Sequence, residues 1–219
     1  MFKKIILFIM IMNASIVFSQ KENLKSAFLS VHSGAFLSSI SDFDKTYDSQ
    51  LGFVYGLGFG LPLSSRSYIY GKATLLSKSG TPVIQSYNFE NGVPVLVSEI
   101  REGTSEFTQW IINGGYLYNL FLNQNWVIGI NGGITYSIIS EEQKNINGTV
   151  SSSVDGSGIF GFFIGVVIER NFDKSHFSVF FEPQFNFNRS DILRYVGNYG
   201  GLNLNFGARY YFKERTLEE

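Results

Sequence analysis

The chain has 219 residues, a formal net charge of −1, no cysteine, 22 Phe and 12 Tyr. That balance offers no handle for nucleic acid, and the missing thiols exclude disulfides, a lipid-modified cysteine anchor and thiolate metal sites. Charged and aromatic residues each make up 16% of the sequence, too apolar for an ordinary secreted domain and suited to a wall facing lipid.

Residues 1–19 read as a secretory signal. Lys3 and Lys4 form the charged region, 5–12 the apolar core, and Val17-Phe18-Ser19 the cleavage site before Gln20. Beyond it no apolar run approaches the roughly 20 residues a membrane helix needs. A membrane-spanning form must then be a closed barrel, in which strands satisfy one another's backbone.

Eight stretches alternate with period two, the pattern of a strand with one apolar and one polar face. Strand one, 26–38, sets Leu29, Val31, Ala35 and Leu37 against Phe28, Ser30, His32 and Gly34. A long polar connection, 39–50, follows, with Asp42 and Asp44 as solvated charges. Strand two, 51–61, sets Phe53, Tyr55, Leu57, Phe59 and Leu61 against Val54, Gly56, Gly58 and Gly60. The glycine face predicts room for side chains crossing from the opposite wall. These glycines lack the spacing and the following helix of a phosphate loop.

Strand three, 68–78, is mixed on both faces. Lys72 sets its phase inward, because an ammonium facing mid-bilayer lipid costs about 2–4 kcal/mol. Residues 79–105 hold two strand-like pieces, 83–89 and 93–100, around Asn91-Gly92. This predicts a hairpin extending strands three and four above the membrane. Tyr87, Phe89, Val95 and Val97 make it the candidate surface for a protein partner.

Strand four, 106–118, points Trp110, Ile112, Tyr116 and Tyr118 outward. Strand five, 126–140, does so with Trp126, Ile128, Ile130, Ile134, Tyr136 and Ile138. A long polar loop, 141–157, is predicted to solvate Glu141 and Glu142. Strand six, 158–170, alternates Phe160, Phe162, Ile164, Val166 and Ile168 with Gly161, Phe163, Gly165, Val167 and Glu169. Strand seven, 176–188, turns Phe180, Glu182, Gln184, Asn186 and Asn188 inward. After the loop 189–201, strand eight, 202–212, alternates Leu202, Leu204, Phe206, Ala208, Tyr210 and Phe212 with Asn203, Asn205, Gly207, Arg209 and Tyr211. Residues 213–219 form a charged periplasmic tail.

Long and short connections alternate, as in barrels with long outer loops and short periplasmic turns. Tyr118, Trp126, Phe177 and Phe212 fall at the short-turn ends on the outward phase, a girdle at the inner interface. The fold class is all-β, an eight-stranded antiparallel up-and-down transmembrane β-barrel over 20–212.

So narrow a barrel is filled by side chains, and charges inside it must be paired. Lys72, Glu169, Glu182 and Arg209 all point inward. The expected network joins Arg209 to Glu182 and adds Lys72, with Glu169 on the strand next to that of Glu182, and its role is structural. His32 and His176 sit on distant strands without a metal or hydrolase motif, so no catalysis, cofactor or metal is expected.

Within strand eight, Asn205-x-Gly207-x-x-Tyr210-x-Phe212 resembles the closing-strand signal read by the outer-membrane assembly machinery. With the Val17-Phe18-Ser19 cleavage style and the eight strands, the chain resembles the small outer-membrane β-barrel family of Gram-negative bacteria, the OmpX/OmpA-barrel-like and PorT-like group. The resemblance covers about 26–212, and the sequence departs from it in the tail after Phe212. It implies outer-membrane localisation, contact with outer-membrane lipid, and recognition by the assembly machinery through Asn205, Gly207, Tyr210 and Phe212. It specifies architecture better than activity. A structural or surface-interaction role is expected, the alternatives being a PorT-like accessory of protein secretion and a barrel enzyme acting on lipid or peptide.

Overall fold

Alternation along the chain becomes a closed sheet, because each strand can bury its small and polar face only by curling round a shared axis. The computed structural model describes residues 26–90, 93–123, 125–172, 175–190 and 197–212. The expected signal, the turn at Asn91-Gly92 and the tail 213–219 lie outside the described residues, as do the side chains of Tyr87, Phe89, Val95 and Val97.

In chain order the elements are β1 (Phe28–Ser38), α1 (Phe43–Tyr47), β2 (Leu51–Pro62), β3 (Ser67–Gly80), β4 (Val83–Glu90), β5 (Val93–Arg101), β6 (Thr104–Leu122), β7 (Trp126–Lys144), β8 (Val150–Asn171), β9 (Phe177–Phe187), β10 (Arg189–Ser190), β11 (Gly197–Asn198) and β12 (Gly201–Tyr211). The barrel order is β1-β12-β9-β8-β7-β6-β3-β2, with every neighbouring pair antiparallel. Among the described residues, β4 and β5 pair only with each other, as do β10 and β11.

The stagger follows from the register. From Phe28 the paired residues run through Gly60, Tyr70, Gly115, Gly133, Phe163, Asn186 and Gly201, and return to β1 at Ser38, ten residues on. A stagger of that size tilts the strands by about 40° and leaves an interior just wide enough for side chains to fill.

Outward, Phe53, Leu57, Phe59, Ile134, Phe160, Ile164 and Phe206 are exposed. Phe181 and Phe206 stack at 4.5 Å between ring centroids across paired strands. An apolar belt this continuous has no place in water and requires a lipid surround. Tyr118, Trp126, Phe177 and Phe212 are exposed at the short-turn ends.

The β2 glycines make room differently from expectation: they serve the adjacent strand rather than the opposite wall. A Cβ on Gly60 would run into the Phe28 ring, one on Gly58 lies 2.7 Å from Ser30 Oγ, and one on Gly56 lies 2.8 Å from His32 Nε2. The tilt leans β1 side chains over β2, and only glycine leaves space for them.

Two connections differ from their sequence reading. The segment 39–50 is not simply polar coil. Its centre is α1, whose Phe43 and Tyr47 are buried with Ile40. Strands β6, β7 and β8 run past their expected ends, so the expected long loop 141–157 is mostly ladder, with Glu142 paired to Ser153 and Lys144 to Val150. Its turn is closed by Asn145, whose Oδ1 accepts from the Asn147 and Thr149 amides at 3.1 and 2.9 Å. On the outer half of β7 the inward Glu141 and Gln143 are as polar as Glu142 and Lys144 beside them, so the residues there carry no apolar–polar alternation to read. Between β3 and β6, the two strand-like pieces pair as the hairpin the sequence predicts, in a two-stranded sheet of their own.

Candidate functional site

The lumen is layered. At the short-turn end Phe28, Tyr68, Leu117, Val167, Phe180 and Tyr211 belong to one apolar cluster. At the long-loop end Phe36, Leu76, Phe107, Ile111, Ile139 and Ile159 pack with Phe43 and Tyr47 of α1. The charges and amides that alternation turned inward lie between the two and among the rings of the short-turn cluster.

Strand phase brings all four sequence-predicted charges together. Lys72, Glu169, Glu182 and Arg209 are each at most 4% exposed. Lys72 Nζ donates to Glu182 Oε1 at 2.6 Å and to Gln184 Oε1 at 2.5 Å. Arg209 reaches the expected Glu182 and pairs more closely with Glu169. Its Nη1 lies 2.5 Å from Glu169 Oε2, while its Nη2 is 3.9 Å from Glu182 Oε2. The register gives the reason: Arg209 pairs with Ser178, four residues short of Glu182 on β9 and beside the β8 segment that carries Glu169.

Two cations and two anions make the set neutral. Burying each ion costs several kcal/mol, roughly offset only when geometry is good and the remaining lone pairs are used. Two tyrosines provide that use. The Tyr70 hydroxyl donates to Glu182 Oε1 at 2.9 Å, and the Tyr211 hydroxyl donates to Glu169 Oε1 at 2.6 Å. The Arg209 guanidinium also lies between two rings, 4.5 Å from the Phe28 centroid and 4.6 Å from that of Phe180. Each such contact contributes about 0.5–2 kcal/mol. Sequence reasoning about charges alone misses both tyrosines. The available signal is phase: Tyr70 shares that of Lys72, and Tyr211 that of Arg209.

His32 Nε2 meets Thr74 Oγ1 at 3.0 Å within the lumen, and His176 Nδ1 meets the Tyr211 carbonyl at 2.8 Å at the short-turn rim. Neither approaches a carboxylate in these bonds. Among the described residues no group of three or more His, Asp or Glu side chains is arranged to hold a metal.

The outer mouth holds a feature the sequence hid. Both ends of α1 turn through left-handed residues, Asp42 at φ 61° and Asp48 at φ 60°. One turn of helix has little stability of its own, so its buried aromatic face holds it. Phe43 lies 5.1 Å from Phe107 and 4.4 Å from Tyr47 between centroids. The Tyr47 hydroxyl donates to Glu141 Oε1 at 2.8 Å, which Gln143 Nε2 also reaches at 3.0 Å. Glu141 is therefore buried, not solvated as its sequence context suggested: its strand continues past the membrane and turns it toward the plug. Glu142, on the other face, pairs with Lys144 at 2.6 Å.

No family model and no curated protein matches the sequence. The likeness is to solved structures. Neisserial surface protein A, from Neisseria, superposes with a TM-score of 0.55 at 11% identity, over 87% of this chain and 100% of its own. The attachment invasion locus protein Ail of Yersinia pestis, solved with the heparin analogue sucrose octasulfate, gives 0.54 at 11% over the same shares. The chain has the fold of the small outer-membrane β-barrels. A major outer membrane protein of Thermus thermophilus gives 0.51 at 12% identity, over 85% of this chain and 100% of its own. Fold and lipid-facing belt together are those of an outer-membrane barrel, and in this one a neutral ion quartet and two apolar clusters occupy the lumen.

Proposed function

We propose that this outer-membrane barrel is a closed, non-catalytic scaffold that presents a protein-contact surface at its outer end. One observation carries the reading. Strands β6, β7 and β8 are 19, 19 and 22 residues long, against 11 for each of β1, β9 and β12. One side of the barrel thus rises as a β-wall beyond the lipid belt, with the β4–β5 hairpin beside it. A barrel that served only as a membrane plug gains nothing from that height, whereas loops and strand ends on a rigid frame are where contacts are made. Ail, solved with a sulfated sugar analogue, has a comparable frame. The filled lumen supports a closed barrel, and the engagement of His32 by Thr74 supports a non-enzymatic one. During assembly, Asn205, Gly207, Tyr210 and Phe212 on the closing strand are read by the barrel-assembly machinery.

The test removes residues 81–102 behind a short Gly-Ser bridge and compares photo-cross-linking in intact outer membranes. A partner captured by the full chain and lost by the shortened, correctly folded barrel is the expected result. Identical capture by both removes the hairpin from the reading. Steady conductance of the full chain in a planar bilayer removes the closed lumen.

A further inference from the structure

The short-turn rim carries charge that the barrel itself does not use. Arg170 on β8 is exposed on the outward phase. Its guanidinium carbon lies 5.4 Å from the centre of the Trp126 ring, on the strand beside it. No carboxylate among the described residues pairs with it. Arg66, in the β2–β3 turn, is exposed as well, and its carbonyl accepts from the Asn119 amide of β6 at 2.8 Å. Among the described residues this rim holds these two cations and no acid except Glu169, which is buried on Arg209. The outer end is different: there Lys45, Arg101 and Lys144 are paired with Asp42, Asp48 and Glu142.

On the bilayer side of these cations the lipid-facing wall dips. A groove of about 860 Å³ crosses β6 to β9, walled by Tyr116, Phe162, Val166 and Phe185. That size falls within the roughly 300–1,000 Å³ of small-ligand clefts. Its floor is Gly132 and Pro183, outward positions in register with Tyr116 and Leu204. Proline has no N–H to give, and the β8–β9 pairing lapses between Gly165–Gln184 and Ile168–Phe181. Leucine at either floor position would level the wall, and at 183 it would also restore the ladder. Val166 lies four residues from Arg170 along β8, about 13 Å, a span that an arginine side chain and a glycerol backbone cover together.

Within a bilayer an apolar dip draws in no chain by hydrophobicity, because the surrounding lipid is equally apolar. Packing selects a chain only when its headgroup is held. Arg170 can hold a phosphate: its planar fork of donors matches the phosphate oxygens while its face rests on the indole.

The geometry points to a resident anionic phospholipid in the leaflet on the short-turn side, its phosphate hydrogen-bonded by Arg170 and one acyl chain lying in the groove over Gly132 and Pro183. Arg66, on the β6 flank, adds positive charge. Two cations without local acids favour a headgroup of net negative charge over a zwitterionic one. A second copy of this chain on the same face would bring its own arginines to the rim, like charge against like.

The test is native mass spectrometry of the full barrel, refolded in detergent micelles holding equal amounts of phosphatidylglycerol and phosphatidylethanolamine. The wild type retains one phosphatidylglycerol per barrel in preference to phosphatidylethanolamine. Arg170→Gln lowers that preference roughly tenfold, the loss of one charged hydrogen-bonding partner. Gly132→Leu fills the groove, keeps both arginines and lowers the retention of phosphatidylglycerol. Arg101→Gln, at the outer end, changes neither. Equal retention of both lipids by the wild type overturns the inference, as does an unaltered preference in Arg170→Gln, unaltered retention in Gly132→Leu, or a dimer that Gly132→Leu abolishes. If the leucine variant does not reach the heat-modifiable folded form on a gel, Arg170→Gln, whose side chain lies outside the lumen, decides alone.

Discussion

At the scale of single residues, the barrel depends on pairs that cannot lose one member. Glu182 takes hydrogen bonds from Lys72 and Tyr70 deep in the lumen, where it is 1% exposed. Glu182→Ala leaves the Lys72 ammonium without its carboxylate, and breaking a buried pair from one side costs about 3–5 kcal/mol. Urea unfolding in phospholipid vesicles should show that loss for the single variant and a much smaller one for Lys72→Met/Glu182→Leu. Equal losses in the two would mean that the charges do not depend on each other. A second pair of residues tests packing. A Cβ on Gly56 would collide with the Ala73 carbonyl oxygen, while one on Gly114 meets nothing within 4 Å. Gly56→Ala is expected to lose about 1–3 kcal/mol to overpacking and Gly114→Ala almost nothing, by the same unfolding measurement. Phase already sets Gly56 toward the lumen and Gly114 toward the lipid, and the neighbours of each decide the size of the difference.

At the scale of elements, what the sequence could say depended on the medium each segment faces. In the belt every strand has lipid on one side and a narrow polar lumen on the other. That contrast writes period-two alternation into the residues, and β2, β9 and β12 come out with their faces correctly assigned. It also settles the inward phase of Lys72 on a strand whose two faces are otherwise mixed. Above the belt the contrast disappears. The outer halves of β7 and β8 are rich in Ser, Glu, Gln and Val, and what β7 buries there against the plug is polar, Glu141 and Gln143, so they read as loop. The helix α1 is a single turn among Asp42, Asp44 and Asp48, too short to show a helical period, so its two buried aromatics were invisible. The plug it forms can be tested alone. Tyr47→Phe removes the bond to Glu141, worth about 1–2 kcal/mol locally. Amide exchange should speed up in α1 and the outer end of β7 while the global unfolding midpoint hardly moves. A uniform acceleration along all eight strands would instead make the plug part of the barrel's own stability. Planar bilayers should stay silent for this variant, because the quartet and the aromatic layer beneath it still fill the bore.

At the scale of the whole molecule, the claim that matters is where the lipid ends. Ile134 on β7 and Ile146 in the β7–β8 turn are 68% and 73% exposed, so burial cannot tell them apart. The medium can. Ile134 lies on the outward face amid Ile112, Phe162 and Ile164, whereas Ile146 caps the wall that rises past the belt. Arginine on the lipid face near the midplane costs about 2–4 kcal/mol, and close to nothing once the residue clears the interface. Ile134→Arg should therefore lower the stability measured in vesicles by that amount, and Ile146→Arg should match the wild type. The same pair in detergent micelles, which hold no bilayer of fixed thickness, should differ less. If the two substitutions cost the same in vesicles, the belt does not mark the membrane, and the height of β6–β8 no longer argues for a surface held clear of it. If they differ as expected, their separation along the strand gives the height of the wall directly, and with it the reach available to whatever binds there.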